Sequence, residues 1–220
     1  MFPTYDEFIS WMPQLLAGFS VSLQVTALSL LVGIPFGLLL ALGVMVRNKA
    51  VRALCLFLVE VGRGAPALVL LQFIYFGLPS LNFTIESFAA AIIALAWNTG
   101  AYTSEIMRAS LLSIPQGQRE ASEALCFTRI DELRFVLLPQ SLRVALPALL
   151  GFSILIFQGT SLCFAIALPE LVSSAYEIGS TTFRYFPALL CAGALYACVS
   201  IPAALFVSHV ERRAGLYAQR

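Results

Sequence analysis

The sequence predicts an all-α, polytopic membrane protein, and three observations carry that prediction. The 220 residues are 60% apolar and only 11% charged, with a mean hydropathy of +0.88, outside the range of soluble domains. Five stretches contain no Asp, Glu, Lys or Arg: Ala17 to Val46, Gly64 to Ile85, Ser87 to Ser104, Val144 to Pro169 and Tyr185 to Ser208. About 20 apolar residues span a bilayer as a helix, so each is long enough or nearly so. The runs are continuous rather than alternating, which favours helices over barrel strands.

Basic residues collect on one side of these runs. Arg47, Lys49 and Arg52 follow the first; Arg108, Arg119, Arg129, Arg134 and Arg143 follow the third; Arg212, Arg213 and Arg220 follow the fifth. The other side holds Asp6, Glu7, Glu86, Glu170 and Glu177, with Arg184 alone. This asymmetry predicts an outside amino terminus and a cytoplasmic carboxyl terminus. The amino terminus has no positive flank of the secretory type, so the first span is expected to be retained. A formal net charge of +1 gives no reason to expect nucleic acid.

Five transmembrane helices are expected at about 15–46, 52–78, 85–109, 141–166 and 185–209, in one domain over 1–220. In the first, Gly33, Gly37 and Ala41 form a row of small residues four apart. Such a row lets helix backbones approach closely; the plainer reading is a lipid-facing surface that contains glycine. Pro35, Pro66 and Pro202 lie inside spans and imply kinks whose freed carbonyls need partners.

The second span carries Glu60 and Arg63, three apart on one helix face. Ionisable groups at membrane depth line a pathway or a bundle interior, whereas a snorkelling pair near an interface is the alternative. In the third span Asn98, Tyr102 and Glu105 recur at i, i+4 and i+7, a polar stripe on an apolar helix. It is compatible with a solute path or with interhelical hydrogen bonds, and Glu105 also sits three residues from Arg108.

A polar insert at about 113–139 separates the third and fourth spans. Ser113, Pro115 and Gln116 have the pattern of a capping box opening a helix to about Leu125. Thr128 and Asp131 open a second helix towards Leu138, and Pro139 is expected to interrupt the chain. Ala121, Ala124 and Leu125 form a small-residue face, with Arg119, Glu120 and Glu123 polar. Such a face suits a protein groove better than lipid; a solvated loop helix is the alternative.

Other chemistry finds little support. The five cysteines show no CxxC spacing, and the lone His209 cannot build a metal site. An intramembrane enzyme lacks a His pair, paired aspartates or GxSxG. A passive channel needs no docking insert, and a membrane scaffold explains neither Arg63 nor the Asn98 stripe.

EASEALCFTRIDELRFVLLPQSLRVALPAL, from Glu120, resembles the EAA motif of ATP-binding cassette (ABC) importer permeases of the polar amino acid uptake type. RGAP at Arg63–Pro66 is similar to that family's RGTP, and Asn98–Ala121, GTSL at Gly159, LPEL at Leu168 and ERR at Glu211 also fit. The match extends over nearly the whole chain. It implies the type I importer fold: five helices per subunit, with cytoplasmic coupling helices. It also implies a location in the bacterial inner membrane, among membrane lipid. The implied partners are a second permease (the same chain or a paralogue), an ABC ATPase dimer and a periplasmic substrate-binding protein. Glu120, Ala121, Ser122, Ala124, Leu125 and Cys126 are then the coupling site for the ATPase. ATP and Mg belong to that partner, since the chain has no GxxxxGK[ST] loop and binds no cofactor itself.

Two departures from the family pattern stand out. Cys126 replaces a glycine that suits a left-handed helix end, and Gln158-Gly159 replaces Lys-Asp. Arg63, Asn98, Glu105, Gln158 and Thr160 are the candidate pathway residues, bonding to a zwitterion or steadying the kinked helices around it. The resemblance implies a polar amino acid as cargo, with an opine or a sulfur amino acid as the alternative.

Overall fold

The computed structural model describes residues 3–218, with side chains through Arg212. Arg220 and the Arg213 side chain, counted above among the cytoplasmic basic residues, lie outside the described residues. No strand occurs among the described residues.

Helix α1 runs Tyr5–Met45, beginning ten residues before the expected span. Asp6 and Glu7 fill its first turn, where carboxylates complement the helix dipole, and Glu7 accepts from the Thr4 backbone N–H at 2.8 Å. α1 continues through Pro13 and Pro35. α2, Lys49–Gly64, is capped by the Asn48 side chain, which accepts from the N–H groups of Ala50 and Val51.

The expected 52–78 span is not one rod. Pro66 lacks an N–H and forces Ala65 into an extended conformation (φ −81°, ψ 136°). The chain then turns by 107° into α3, Ala67–Gln72. A π-helical turn over Phe73–Gly77 and a 3₁₀ turn over Leu78–Leu81 follow, ending at left-handed Asn82.

α4 spans Ser87–Leu112 and α5 spans Gln116–Ala124. The capping box expected at Ser113 is not formed. Pro115, in extended conformation, occupies the cap position itself, and the Ser113 hydroxyl donates instead to the Ser110 carbonyl at 2.8 Å. The Thr128 cap is present: its Oγ1 accepts from the Asp131 N–H and opens α6, Arg129–Asp131. Contrary to expectation, Pro139 does not interrupt the chain. A π-helical turn over Glu132–Leu137 leads directly into α7, Leu138–Gly159, with Pro139 in its first turn. A proline is tolerated in the first turn of a helix, where its missing N–H is not needed.

A 3₁₀ segment, Thr160–Ile166, ends at left-handed Ala167. α8, Leu171–Thr182, is a helix the span pattern did not foresee. α9, Tyr185–Ala218, closes the chain.

α1 packs most extensively on α4, along the small-residue row: Gly33, Gly37 and Ala41 are all buried. A Cβ on Gly33 would sit 2.8 Å from the Ala96 carbonyl oxygen, and one on Gly37 2.8 Å from that of Gly100. Close backbone approach of this kind lets helices associate where lipid offers no hydrophobic gain. α8 wedges between α1 and α9, burying Leu171, Ala175 and Ile178 against Trp11, Leu15 and Ala188.

Among the described residues, three helical stretches are long and apolar enough to cross a membrane: Tyr5–Met45, Arg129–Ile166 and Tyr185–Arg212. The bent pair Lys49–Gly64 and Ala67–Leu81 is a fourth if the two halves are counted as one span. α4 has 26 residues, about 39 Å at 1.5 Å per residue, but carries the polar stripe. Leu31, Leu39 and Leu205 on the long helices are each about two-thirds exposed, as a lipid- or partner-facing surface requires.

Candidate functional site

The break at Pro66 builds the first polar constellation. In a helix the Gly62 carbonyl would accept from the N–H four residues on, and that residue is proline. Asn98 on α4 supplies the missing donor, its Nδ2 reaching the Gly62 carbonyl at 2.9 Å from a buried position. One turn further along α4 the Tyr102 hydroxyl donates to the Arg63 carbonyl at 3.3 Å, and Trp97 Nε1 donates to the Leu58 carbonyl at 3.0 Å. Asn98 and Tyr102 thus both make interhelical hydrogen bonds, one of the two roles the stripe allows.

The charges lie at the same seam. Glu105 holds Arg108 at 2.7 Å and stands 3.9 Å from Arg63, which also pairs with Glu60 at 3.2 Å. The Arg63 side chain is 37% exposed and that of Glu60 63%, so neither is sealed inside this subunit. Such exposed pairs contribute little stability. Their value is positional, since one carboxylate is shared between guanidiniums on two helices. Tyr102 stacks on Phe152 of α7 with ring centroids 5.2 Å apart.

Gln158 and Thr160 fall elsewhere. Exposed Gln158 lines a cavity of about 490 Å³ among α7, α8 and α9, together with Ser161, Tyr196 and Ser200; Arg63, Asn98 and Glu105 do not line it. Thr160 is fully buried. Its hydroxyl bonds the Phe157 carbonyl at 2.7 Å and Tyr196 Oη at 3.0 Å. The five candidate pathway residues thus divide into a seam of three and a separate pair.

A buried carboxylate that the sequence reading treated only as an outside charge lies beside this pair. Glu170 is fully buried and caps α8, accepting from the N–H groups of Val172 and Ser173 at 2.8 Å each. Tyr196 Oη donates to it at 3.2 Å, and Ser22 of α1 accepts from the Leu171 N–H at 3.3 Å. Burial pushes the Glu170 carboxyl above its ordinary range, opposed by these donors. The network ties α1, the 3₁₀ segment, α8 and α9 together. Pro169, which punctuates the chain, and the apolar period Leu171, Ala175 and Ile178 after it are the signals that could have placed Glu170 at a helix start.

α5 stands apart from both groups. Arg119 and Ser122 face the bundle: Arg119 pairs with Glu132 at 3.7 Å and donates to the Leu111 carbonyl, while Ser122 is buried. Glu120, Ala121, Ala124 and Leu125 are exposed, Leu125 at 70%. The helix ends in a Schellman turn, with Phe127 N–H on the Ser122 carbonyl and Cys126 N–H on that of Glu123. Cys126 occupies the left-handed position at φ 57°. The cysteine therefore keeps the turn a glycine would favour, at a cost of about 1 kcal/mol.

Comparison with known proteins places this geometry. The model of the family described as "Binding-protein-dependent transport system inner membrane component" matches residues 33–215. The arginine transport system permease protein ArtQ of Bacillus subtilis (strain 168) is 32% identical over 210 residues, covering 95% of this chain and 96% of that one. The L-cystine transport system permease protein TcyB of the same organism is 34% identical over 212 residues, covering 96% and 91%. A crystal structure of an amino acid ABC transporter with histidines superposes with a TM-score of 0.89 at 32% identity, over 97% of this chain and 100% of that chain. With the family model spanning most of its length and relatives matching end to end, this chain belongs to the inner membrane components of binding-protein-dependent transport systems.

Proposed function

We propose that this chain is the permease subunit of an ATP-driven importer of a polar amino acid, working by alternating access. It crosses the inner membrane five times, with α4 as one crossing, its amino terminus periplasmic and its carboxyl terminus cytoplasmic. A second permease, the same chain or a paralogue, completes the path. A periplasmic binding protein delivers the solute, and an ABC ATPase dimer holds the ATP and Mg.

One observation carries the reading: an exposed rod, α5, whose outer face is Ala121, Ala124 and Leu125 with Glu120 at its edge. Apolar and small side chains left in solvent at a fixed helix end fit a groove on a partner. ATP-driven closure of that partner would pull α5, and the pull passes to α7 through the continuous helical run from Arg129. Arg63, Glu105 and Gln158 are the pathway candidates with side chains still accessible; Asn98 and Thr160 steady the broken helices around them.

Glu120→Lys tests this. The variant should insert and co-purify with its permease partner yet lose coupling between solute and ATP hydrolysis. Normal uptake with normal substrate-stimulated ATPase activity would overturn the reading. A sulfur amino acid is the second reading for the cargo, supported by the end-to-end likeness to the cystine permease.

A further inference from the structure

A cavity of about 750 Å³ lies behind α5, between it, the end of α1 and the π-helical turn that leads into α7. Leu42, Met45 and Val46 of the α1 end form an apolar side. Arg47, Arg119 and Arg129 line the polar side with Glu123 and Glu132. Arg119 answers Glu132 at 3.7 Å. Arg47, Arg129 and Glu123 make no ion pair among the described residues. Two guanidiniums therefore meet a single carboxylate in a space floored by apolar side chains.

We propose that this cavity binds the phosphate of an anionic phospholipid from the cytoplasmic leaflet, with Arg47 and Arg129 holding it. This rests on the orientation given above, which puts Arg47 just cytoplasmic of the first span. Guanidinium forks match phosphate oxygens in geometry as well as charge. Basic pockets between helices at the cytoplasmic interface are where anionic headgroups bind. The apolar side, continuous with the end of the α1 span, suits the glycerol and first acyl carbons of a lipid and has no use for a soluble anion. The ATPase is not the occupant, because its docking face (Ala121, Ala124, Leu125) lies on the side of α5 away from Arg119 and Glu123. A lipid seated here sets how far α5 stands from α1.

The test uses the complete permease–ATPase complex in detergent, titrated with phosphatidylglycerol or phosphatidylcholine and read by native mass spectrometry. Phosphatidylglycerol should bind and phosphatidylcholine should not. R47Q/R129Q should weaken phosphatidylglycerol binding at least about tenfold. R47K/R129K, which keeps the charge but loses the fork, should bind more weakly than the unaltered complex and more tightly than R47Q/R129Q, and R143Q, outside the cavity, should retain binding. Equal binding of both lipids, or unchanged binding by R47Q/R129Q in a complex that still co-purifies, would overturn the proposal. Competition by inorganic phosphate at equal concentration would assign the site to a soluble anion instead and overturn it too. Because the readout is lipid mass and not transport, it stands or falls separately from the Glu120→Lys experiment.

Discussion

Replacing Asn98 by leucine removes one amide while keeping the branched side-chain shape, and its effect follows from Pro66. The Gly62 carbonyl has no backbone donor, because the residue four positions on is proline. The 2.9 Å bond from Asn98 is the one that meets it. An unsatisfied buried acceptor costs about 1–3 kcal/mol, but polar contacts between membrane helices average about 0.6 and reach about 1.7 kcal/mol. About 1 kcal/mol is therefore expected, a factor of roughly five in the unfolding equilibrium. The measurement is SDS-induced unfolding of the purified complex, carried out for N98L, P66A and the double variant. An alanine at 66 restores a backbone N–H to this break, so N98L should cost less in the P66A background, with a coupling of at least about 0.5 kcal/mol. Strict additivity would refute the assignment. So would an N98L complex of unchanged stability with altered solute selectivity, which would make Asn98 a direct solute ligand.

Cys126→Gly should stabilise the complex by about 1 kcal/mol in the same assay and preserve transport, since it relaxes a left-handed residue without moving the turn; a loss of stability would contradict the strain. Gly33→Val would drive a side chain into the Ala96 carbonyl and Thr99, and several kcal/mol of destabilisation, read as loss of monodisperse complex, is expected; normal assembly would show that α1 and α4 are not so close. Glu170→Ala strips two N–H groups and a tyrosine hydroxyl of their acceptor and should destabilise by about 1–3 kcal/mol, with protease cleavage near α8 as the local readout; unchanged protection would remove Glu170 from the framework.

Much of this was legible because membrane insertion imposes a coarse rule. Apolar length marks the helices, and small residues four apart mark where α1 meets α4. The polar face of α4 was visible as a period, although only the structure shows that Asn98 and Tyr102 serve carbonyls released by Pro66. The left-handed turn at Cys126 was legible only through the resemblance, whose pattern has a glycine at this helix end. α8 escaped because a window of about 20 apolar residues is blind to a 12-residue helix, even though Leu171, Ala175 and Ile178 fall on one face. Glu170 read as an outside charge, since its burial depends on α1 and α9 closing over it, a tertiary fact. Pro139 misled for a local reason: a proline in the first turn of a helix loses nothing there, and the preceding π turn carries the helix past it.

Photo-cross-linking from α5 tests the docking assignment most directly. A photoreactive residue is placed at Ala121 or at Glu123, two positions roughly 160° apart around a helix of 3.6 residues per turn, in the complex with its ATPase. Ala121 should cross-link to the ATPase and Glu123 should not. Equal cross-linking from both, or cross-linking from Glu123 alone, would mean that α5 does not present its alanine face to the ATPase.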